Sequence, residues 1–259
     1  MSEIKEYYDE QYDEWARLGR HRIEFDITKR YLDEFLAGET LKIIDIGGGP
    51  GRYSIYLSQK GHQVTLVDLS KRNIEDAKAK TYEVGITLDD YIVADVLEYS
   101  HPDKFDCVLL MGPLYHLLTD EKRRLAVEKS LSLLKPGGII VAAFISNYAP
   151  MMDYLRNLHP IESPESMLKY LKKGENSAGE GFTTAYFSSY TEAQSLMNSF
   201  ELTQLAFAGV ENVLSYKEDE LMALEESEYK KWLEIGYALS QDFNVIGTSH
   251  HFLYIGKKI

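Results

Sequence analysis

The sequence predicts an α/β protein built around a parallel, doubly wound β-sheet. Between residues 41 and 146, short apolar runs alternate five times with segments of helical character. Such alternation is typical of parallel strands joined by helices that pack on both faces of the sheet. The first run ends in the turn Asp45-Ile46-Gly47-Gly48-Gly49-Pro50-Gly51, and glycines at this place favour a sharp turn from a buried strand into a helix.

The elements are predicted in chain order from apolar periodicity and from glycine or proline stops. Residues 1–38 show helical recurrence in their later part, and Gly38 is the expected stop. Strands are then predicted at Leu41–Ile46, Val64–Val67, Tyr91–Val93, Phe105–Leu110 and Ile139–Phe144. Helices are predicted between them at Arg52–Lys60, Arg72–Glu83 and Asp120–Leu134, the last ended by Lys135-Pro136-Gly137-Gly138.

The regular alternation breaks after Ser146. Residues 147–190 are mixed in character and contain three prolines and a stretch rich in glycine and serine. The later elements are a helix at Thr191–Phe200, a strand at Glu201–Phe207, an acidic helix over 217–240 and a last strand at Phe252–Ile255. We therefore expect two insertions, at about 147–190 and 211–245, beside the late strands of the sheet.

The composition argues against several classes of function. The net charge is −13, and a field of this sign repels nucleic-acid backbones unless a basic stripe reverses it locally; no such stripe is visible. The same acidity also serves simply to keep a protein soluble. No apolar run approaches the roughly 20 residues that span a bilayer, and the polar, acidic N-terminus is unlike a signal or transit peptide. The single cysteine excludes an internal disulfide. We expect a cytoplasmic protein that binds neither nucleic acid nor membrane.

The glycine turn suits a ligand that approaches the backbone closely, because glycine has no Cβ. A dinucleotide-binding turn has glycines in the pattern G-x-G-x-x-G. Here Arg52 occupies the place of the third glycine. The sequence instead matches D-x-G-x-G-x-G, formed by Asp45, Gly47, Gly49 and Gly51.

Two acidic residues stand at the ends of the next two predicted strands. Asp68 ends the second strand, where a carboxylate can accept hydrogen bonds from both hydroxyls of a ribose. Asp95 follows the third strand, within reach of an exocyclic adenine amine. The carboxyl ends of parallel strands share one edge of the sheet, where folds of this type bind ligands. Both residues also fit a simpler role as helix N-caps or loop acids.

Four runs of the sequence carry a family resemblance. They are IIDIGGGPGRYSIYLSQKGHQVTLVDLS, ADVLEY, FDCVLLMGPLYHLL and LSLLKPGGIIVAAFIS, within residues 41–146, with weaker similarity over 181–187 and 249–258. These runs resemble the class I S-adenosylmethionine (SAM)-dependent methyltransferases, above all the small-molecule branch whose fourth strand runs into a GPLYHL turn. The resemblance implies a Rossmann-like, doubly wound, seven-stranded sheet, mostly parallel with the last strand antiparallel, plus helical cap insertions.

The resemblance also implies a cofactor, SAM, with S-adenosylhomocysteine (SAH) as product. The glycines of the turn would lie beside the methionine and ribose of SAM, with Asp68 on the ribose and Asp95 beside the adenine. The residues implied to contact the cofactor are Asp45, Gly47, Gly49, Gly51, Asp68, Leu69, Asp95, Val96, Met111 and Gly112. The implied organisation is an N-terminal helical lid segment at 1–38, a SAM-binding core at 39–146, a cap insertion at 147–190 and the end of the core sheet at 191–259.

Methyl transfer from a sulfonium is an in-line displacement, whose main demand is alignment of the nucleophile with the methyl group. A general base is needed only where the acceptor carries a proton, so we expect neither a catalytic triad nor a metal cluster. Tyr115 and His116, in the GPLYHL turn, are the polar side chains nearest the expected methyl position. His116 is a candidate base because the ordinary pKa of histidine is near neutrality; a substrate contact or a structural role in the turn also fits. Tyr115 is expected to pack or to position the acceptor.

The N-terminal segment is the second source of candidate site residues. Its aromatic faces could contact the sulfonium or stack on a planar acceptor, and the segment could close over the cofactor as a lid. The candidates are Tyr8, Tyr12, Trp15, Arg20, His21 and Glu24, of which His21 is also a candidate for catalysis. An amphipathic helix packed on the sheet explains the same residues equally well. From the first insertion, Tyr186 and Phe187 could line the acceptor pocket or belong to the core.

Two adjacent histidines, His250 and His251, precede the last predicted strand. Neighbouring side chains of a strand point to opposite faces, so the two cannot chelate a metal ion as a simple pair. We expect no metal site, and one of the two histidines could face the active site.

The favoured interpretation is a methyltransferase that acts on O, N or S of a small-molecule acceptor. One alternative is an NAD(P)-dependent oxidoreductase, which Arg52 disfavours. A second is a non-catalytic SAM-binding regulatory or partner subunit, and a third is a nucleic-acid methyltransferase, which the acidic charge disfavours. The acceptor and the oligomeric state, monomer or homodimer, stay open.

Overall fold

A computed structural model describes residues 3–11, 15, 19, 21–177 and 183–259. The strands in these residues are β1 Lys42–Ile46, β2 Gln63–Asp68, β3 Asp90–Val93, β4 Phe105–Leu110, β5 Leu134–Ile145, β6 Glu175–Asn176, β7 Ala185–Tyr186, β8 Leu202–Gly209 and β9 His251–Lys258. The α-helices are α1 Glu3–Glu6, α2 Arg22–Phe35, α3 Arg52–Gln59, α4 Lys71–Glu83, α5 Asp120–Leu133, α6 Ala149–Arg156, α7 Pro164–Lys173, α8 Tyr190–Asn198, α9 Glu218–Met222 and α10 Glu226–Leu239. A π-helical turn at Tyr7–Gln11 follows α1, and 3₁₀ turns lie at Pro113–His116, Asn212–Lys217 and Ile246–Thr248.

Seven strands form one sheet in the order β3-β2-β1-β4-β5-β9-β8, and β6 pairs with β7 separately. Strands β1 to β5 are parallel, whereas β9 is antiparallel to both of its neighbours. The predicted seven-stranded sheet with an antiparallel last strand is therefore confirmed. Because β9 runs in the opposite direction, its first residue, His251, pairs with Ile145 at the carboxyl end of β5.

The sheet carries a hydrophobic core on each face, because alternate strand residues point to opposite sides. On one face, Leu109 and Leu253 pack with residues of α2, α3, α4 and α10. On the other face, Val108 and Phe252 pack with residues of α5 and α8. Helices therefore cover both faces of the sheet, as the alternating pattern predicts. The ends of the strands are not covered in this way and can form a ligand-binding site.

Local sequence sets the start of several helices. The side chain of Ser70 accepts a hydrogen bond from the Asn73 backbone N–H and caps α4 directly after β2. Ser189 and Glu192 form a capping box at the start of α8. Such caps satisfy backbone N–H groups that have no partner within the helix, and they fix where each strand-to-helix turn ends.

Two predicted elements differ from the structure. The acidic helix expected over 217–240 is two helices, α9 and α10, because Glu225 takes an extended conformation and precedes α10 as its N-cap. Strand β5 begins at Leu134 rather than at Ile139. The Pro-Gly-Gly stretch that predicts a stop instead lies within the strand, where the pairing with β4 is irregular and Gly137 has φ +75°.

The chain between β5 and α8 contains α6, α7 and the short β6–β7 pair. It has its own apolar cluster, formed by Tyr170, Ala185 and Phe187, so Phe187 belongs to a local core. A bridge between Ser146 and Ser188 joins this region to the end of β5. The predicted division into lid, core and cap remains a prediction.

Among the described helices, none combines the length and the apolar character needed to cross a bilayer.

Candidate active site

A cavity of about 460 Å³ opens at the edge of the sheet where β1, β2 and β4 end and β9 begins. The chain order of the sheet reverses between β1 and β4, and ligands of open α/β sheets bind outside the carboxyl ends of strands at such a point. The cavity is lined by the glycine turn, the GPLYHL turn, one side of α2 and part of the N-terminal helical segment.

The glycine turn lies against the GPLYHL turn at very close range. Gly47 has φ +70°, and a Cβ on it would lie 2.6 Å from the Cδ atom of Pro113. A Cβ on Gly112 would lie 2.4 Å from the carbonyl oxygen of Gly47. Side chains at these two positions would push the turns apart, so glycine is required for the shape of this end of the cavity.

Asp45 is the buried acidic residue of the glycine turn, with 1% of its surface exposed. Its Oδ2 atom accepts a hydrogen bond from Ser54 Oγ at 2.7 Å. Burial raises the pKa of Asp45 to about 7, opposed by the Ser54 hydrogen bond and reinforced by the charge of Asp68. The carboxyl group therefore changes charge near neutral pH at the base of the turn.

Asp68 is fixed at the end of β2 by backbone donors. Its Oδ2 atom accepts from the Gly49 N–H at 2.8 Å, and its Oδ1 atom accepts from the Ser70 N–H at 2.8 Å. Asn73 also donates to Oδ1, at 3.1 Å. The carboxylate joins the glycine turn to the start of α4 and borders the cavity, where the predicted ribose contact requires it.

Asp95 lies past β3 on the same edge and also borders the cavity. Its Oδ1 atom accepts a hydrogen bond from the Leu97 N–H at 2.9 Å, which is the loop-stabilising role considered as an alternative. The two roles are compatible, since a carboxylate has several acceptor positions. The cavity is also lined by nine of the ten residues predicted to contact the cofactor, namely Asp45, Gly47, Gly49, Asp68, Leu69, Asp95, Val96, Met111 and Gly112.

At the GPLYHL turn, His116 contacts two distant parts of the chain. Its Nε2 atom lies 3.0 Å from the hydroxyl of Tyr8, and its Nδ1 atom lies 3.3 Å from the carbonyl oxygen of Thr184. Because a carbonyl can only accept, Nδ1 donates to the carbonyl oxygen of Thr184. Tyr115 packs against the ring of His116 with centroids 4.8 Å apart and also lines the cavity.

The N-terminal segment 3–11 lies across the mouth of the cavity, and Ile4, Lys5 and Tyr8 line it. At one end of the segment, Thr184 Oγ1 donates to Glu3 Oε1 at 2.8 Å. At the other end, Asp9 Oδ1 accepts from Ser70 Oγ at 2.5 Å and from the Arg72 N–H at 3.3 Å. The segment is therefore bonded to both sides of the opening, which is the placement expected of a lid.

A third polar group borders the cavity at the start of β9. It consists of His251, Glu24 on α2 and Glu211 directly after β8, and their ligand-type atoms all lie within 4.8 Å of one another. His251 and Glu24 line the cavity. The sequence analysis allowed one histidine of the pair to face the site, but it gave no signal for Glu211, because this residue is brought there only by the pairing of β8 with β9.

Four predicted site residues lie away from the cavity lining. His21 Nδ1 lies 3.7 Å from Glu218, the Trp15 ring lies 5.4 Å from the Lys80 amino group, and the Tyr186 hydroxyl donates to Glu192. Gly51 has φ +82° and starts α3 against Leu66. Tyr12 and Arg20 lie outside the described residues.

The sequence shares its central region with known methyltransferases. Residues 43–138 match the family described as a methyltransferase domain. The ubiquinone biosynthesis O-methyltransferase of Azoarcus sp. (strain BH72) is 27% identical over 187 residues, which cover 67% of this chain and 78% of that protein. The tRNA 5-carboxymethoxyuridine methyltransferase of Escherichia coli (strain K12) is 28% identical over 126 residues, covering 47% of this chain and 48% of that protein.

The chain is a SAM-dependent methyltransferase, and its methyltransferase domain spans residues 43–138. The fold agrees: the N-methyltransferase NodS from Bradyrhizobium japonicum WM9, solved in complex with SAH, superposes with a TM-score of 0.60 at 14% identity, covering 99% of both chains. The cofactor of this methyltransferase is SAM, and the close glycine turn beside a fixed Asp68 carboxylate fits it. For two further ubiquinone biosynthesis O-methyltransferases the matched region spans only about half of the relative, 53% and 49%.

Proposed function

We propose that this methyltransferase transfers the methyl group of SAM to an O, N or S atom of a small molecule. The observation that carries the proposal is the cavity itself. It runs from Asp95, beyond β3, to His251 on β9, and its outer side is crossed by the N-terminal segment. A volume of about 460 Å³ is in the range of small-molecule sites.

At the cofactor end, the proposed roles follow the placement of the side chains. Asp68 accepts the ribose hydroxyls, Asp95 and Val96 flank the adenine, and the Gly47 and Gly112 backbones border the methionine part. SAM supplies an electrophilic methyl group on a sulfonium. The protein aligns an acceptor with it and excludes water, which is the main requirement of an in-line transfer.

At the acceptor end, we propose that His116 shapes the site rather than serving as the general base. Its two nitrogens contact the Thr184 carbonyl and the Tyr8 hydroxyl, which are neutral groups. Both contacts bind remote segments to the GPLYHL turn, so the histidine and Tyr8 together close the mouth of the cavity over the acceptor. Tyr115 supports the ring of His116 from within the same turn.

The acidity of the chain supports a small acceptor over a nucleic acid. With a net charge of −13, approach of a phosphate backbone is unfavourable. Because one relative is a tRNA methyltransferase, methylation of tRNA has to be measured beside methylation of small molecules. We also propose a cytoplasmic location, supported by the single cysteine, Cys107, which is buried and free.

The test is a product screen with a deuterated methyl donor. The protein is incubated with methyl-deuterated SAM and a library of phenols, amines, thiols and carboxylic acids, and products are detected by mass spectrometry. We expect label in one chemical class of small molecule. A parallel incubation with total tRNA is expected to remain unlabelled.

Labelled tRNA without a labelled small molecule would overturn the proposed acceptor class. SAM binding by calorimetry with no labelled product in either incubation would favour the non-catalytic SAM-binding subunit. The matched control is Asp68→Ala, which should strongly reduce labelling at the same protein and SAM concentrations because SAM binds more weakly.

A further inference from the structure

The group Glu24, Glu211 and His251 is not explained by cofactor binding. It lies on the face of the sheet covered by α2, at the opposite end of the cavity from Asp95. Three titratable side chains from α2, β9 and the turn after β8 meet there. Their convergence at the acceptor end points to chemistry on the acceptor.

Both carboxylate oxygens of Glu211 bind the same residue. Oε2 accepts from the backbone N–H of His251 at 3.0 Å, and Oε1 contacts Nδ1 of its imidazole in a short hydrogen bond. The Val210 N–H also donates to the His251 carbonyl, at 3.2 Å. The ring is therefore held in one orientation by a carboxylate and by the strand pairing, as in a carboxylate–histidine pair that prepares an imidazole for proton transfer.

Burial makes this contact electrostatically strong. Glu211 is 1% exposed. Burial by itself would raise the pKa of Glu211, but the charge of His251 and its hydrogen bonds outweigh burial and lower the pKa. The carboxylate thus stays charged behind the ring, and Glu24 Oε2 adds a second negative group 4.0 Å from Nδ1.

The two cavity histidines therefore differ in what lies behind them. Among the described residues, the ring nitrogens of His116 contact a carbonyl oxygen and a tyrosine hydroxyl, which are neutral groups. His251 faces two carboxylates, which favour its protonated form. Carboxylates beside an imidazole increase its affinity for a proton, so His251 is better suited than His116 to take a proton during a reaction.

We infer that His251, oriented by Glu211, takes the proton from the acceptor's nucleophilic atom during methyl transfer. This inference rests on the proposed function and narrows it, since the acceptor atom must carry both an electron pair and a proton, as in a hydroxyl, a thiol or a neutral amine; a carboxylate or a thioether has no proton to lose. As the nucleophile's electron pair forms the bond to the methyl carbon, the carbon–sulfur bond breaks, its electrons stay on sulfur, and the proton passes to the His251 imidazole. Glu211 is a positioning residue in this step.

Several other charged or titratable groups face the pair, and they contribute to any pH dependence. These neighbours are Glu24 on α2, Arg52 and Tyr53 on α3, Glu218 on α9, His21 directly before α2 and His250 directly before β9. Glu211→Gln keeps all six, so that a change in its titration reports on Glu211; the control below replaces one of the six, Glu218.

The first experiment needs no acceptor. The imidazole of His251 is titrated by NMR in the protein saturated with SAH, and its signals are assigned with the variant His251→Asn. We expect Glu211→Gln to move the titration midpoint to lower pH by about one unit, a tenfold change in proton affinity, because an adjacent negative charge is lost. An unchanged midpoint would overturn the inference, whether or not an acceptor is found.

The matched control for Glu211→Gln is Glu218→Gln. Glu218 is equally buried, on the same side of the sheet, but it pairs with Arg156 at 3.2 Å. Its replacement should cost stability and move the His251 midpoint much less than Glu211→Gln does, because Glu218 bonds to Arg156 whereas Glu211 bonds to the His251 ring. A shift of equal size in both variants would show a general loss of structure and would count against a specific pair.

The second experiment uses the labelled acceptor from the product screen. His251→Asn keeps an N–H that can donate to Glu211 but loses the titratable ring, and we expect kcat to fall about 100-fold with SAM affinity within twofold of the wild type. In Glu211→Gln the acidic limb of the kcat–pH profile should move to lower pH. If His251→Asn retains kcat within threefold, another group takes the proton and the inference is wrong.

A metal ion is the competing explanation for the same three side chains. The Nδ1 atom already bonds to Glu211, which leaves a hydrogen-bonded pair rather than an open set of ligands. We expect EDTA to leave kcat unchanged and Mg²⁺ or Zn²⁺ to leave the NMR titration unchanged. Loss of activity in EDTA that Mg²⁺ or Zn²⁺ restores would overturn the proton-transfer role.

Discussion

The two ends of the cavity are held together by different kinds of contact. At the cofactor end, Gly47 and Gly112 lie on the short turns that follow β1 and β4, and backbone N–H groups fix the carboxylate of Asp68 at the end of β2. At the acceptor end, side chains join segments far apart in sequence, such as Tyr8 to His116 and Glu211 to His251. Backbone-built sites are rigid, whereas a site made of side-chain bonds between remote segments opens when single bonds are lost. We therefore expect changes at the first end to abolish cofactor binding and changes at the second to alter turnover.

The largest effect should come from Asp68→Ala. The substitution removes the proposed acceptor for two ribose hydroxyls and also releases the Gly49 N–H from its partner. Hydrogen bonds to a charged group contribute about 1.5–3 kcal/mol each, so the affinity for SAM should fall by at least about 100-fold. Isothermal titration calorimetry measures it.

The control for this prediction is Asp76→Ala on α4, the helix that follows Asp68. Asp76 is half exposed and pairs with Arg72 across one helical turn, at 3.7 Å, a contact of small energy. The Asp76→Ala variant should bind SAM with the affinity of the wild type. Unchanged SAM affinity in Asp68→Ala would remove the assignment of the ribose and with it the contrast between the two ends.

The next effect should come from His116→Ala, which loses the contacts to Tyr8 and Thr184. Because these bonds close the acceptor end, we expect kcat to fall about tenfold, the equivalent of one or two hydrogen bonds, with SAM affinity within twofold. The acidic limb of the kcat–pH profile should stay at the same pH in His116→Ala, whereas it should move to lower pH in Glu211→Gln. The exposed His159 gives the control, His159→Ala, which should be neutral. Equal losses in turnover and in SAM affinity would instead indicate a structural role.

A smaller effect is expected from Asp9→Asn at the anchor of the N-terminal segment. Asp9 is bonded to Ser70, Arg72 and Lys5; burial would raise the pKa of Asp9, but these hydrogen bonds lower it. A lowered carboxylate pKa means that the contact is complete above the ordinary value and is lost only as the pH falls below it. SAH release, measured by stopped flow, should be about threefold faster in the variant and in the wild type should not vary between pH 5 and 8. Release at the wild-type rate would show that segment 3–11 is not a lid, and Asp76→Asn is the control.

The difference between the two ends also explains what the sequence could predict. The cofactor end is encoded within residues 45–112, where strand ends, glycines and acids follow one another at short spacing. Nine of the ten predicted residues there line the cavity. The exception, Gly51, uses its positive φ to begin α3 against Leu66, and spacing alone cannot separate a glycine needed for a turn from one needed by a ligand.

The acceptor end could be predicted only in part, because tertiary pairing creates it. His251 enters the site because β9 is antiparallel, which places its first residue beside the ends of the parallel strands. Glu211 arrives through the pairing of β8 with β9, and no local pattern marks it. Conversely, Tyr186 and His21 are plausible by type, but their partners, Glu192 and Glu218, lie outside the cavity lining.

The smallest effect concerns stability at the base of the glycine turn. Burial raises the pKa of Asp45 to about 7. For a carboxyl group with a raised folded pKa, stability is complete below the ordinary value of 3.8, declines as the pH rises towards 7, and stays lower above it. An asparagine at position 45 is neutral at every pH and can still accept a hydrogen bond from Ser54. The stability of Asp45→Asn relative to the wild type should therefore increase between pH 5 and 8. A gain of about 1 kcal/mol corresponds to roughly 2–4 °C in Tm for a domain of this size.

Asp106→Asn is the opposite-sign control at the other edge of the sheet. Burial would raise the pKa of Asp106, but hydrogen bonds from Lys135 and the Lys42 N–H outweigh it and lower the pKa. Its replacement should therefore lower Tm at pH 7, and the difference should shrink as the pH falls below the ordinary carboxyl value. Thermal unfolding of the SAM-free protein across pH 4–9 measures both variants. If Asp45→Asn shows the same pH trend as Asp106→Asn, the Asp45 carboxylate is stabilised in place, and the glycine turn holds a permanent negative charge beside the cofactor.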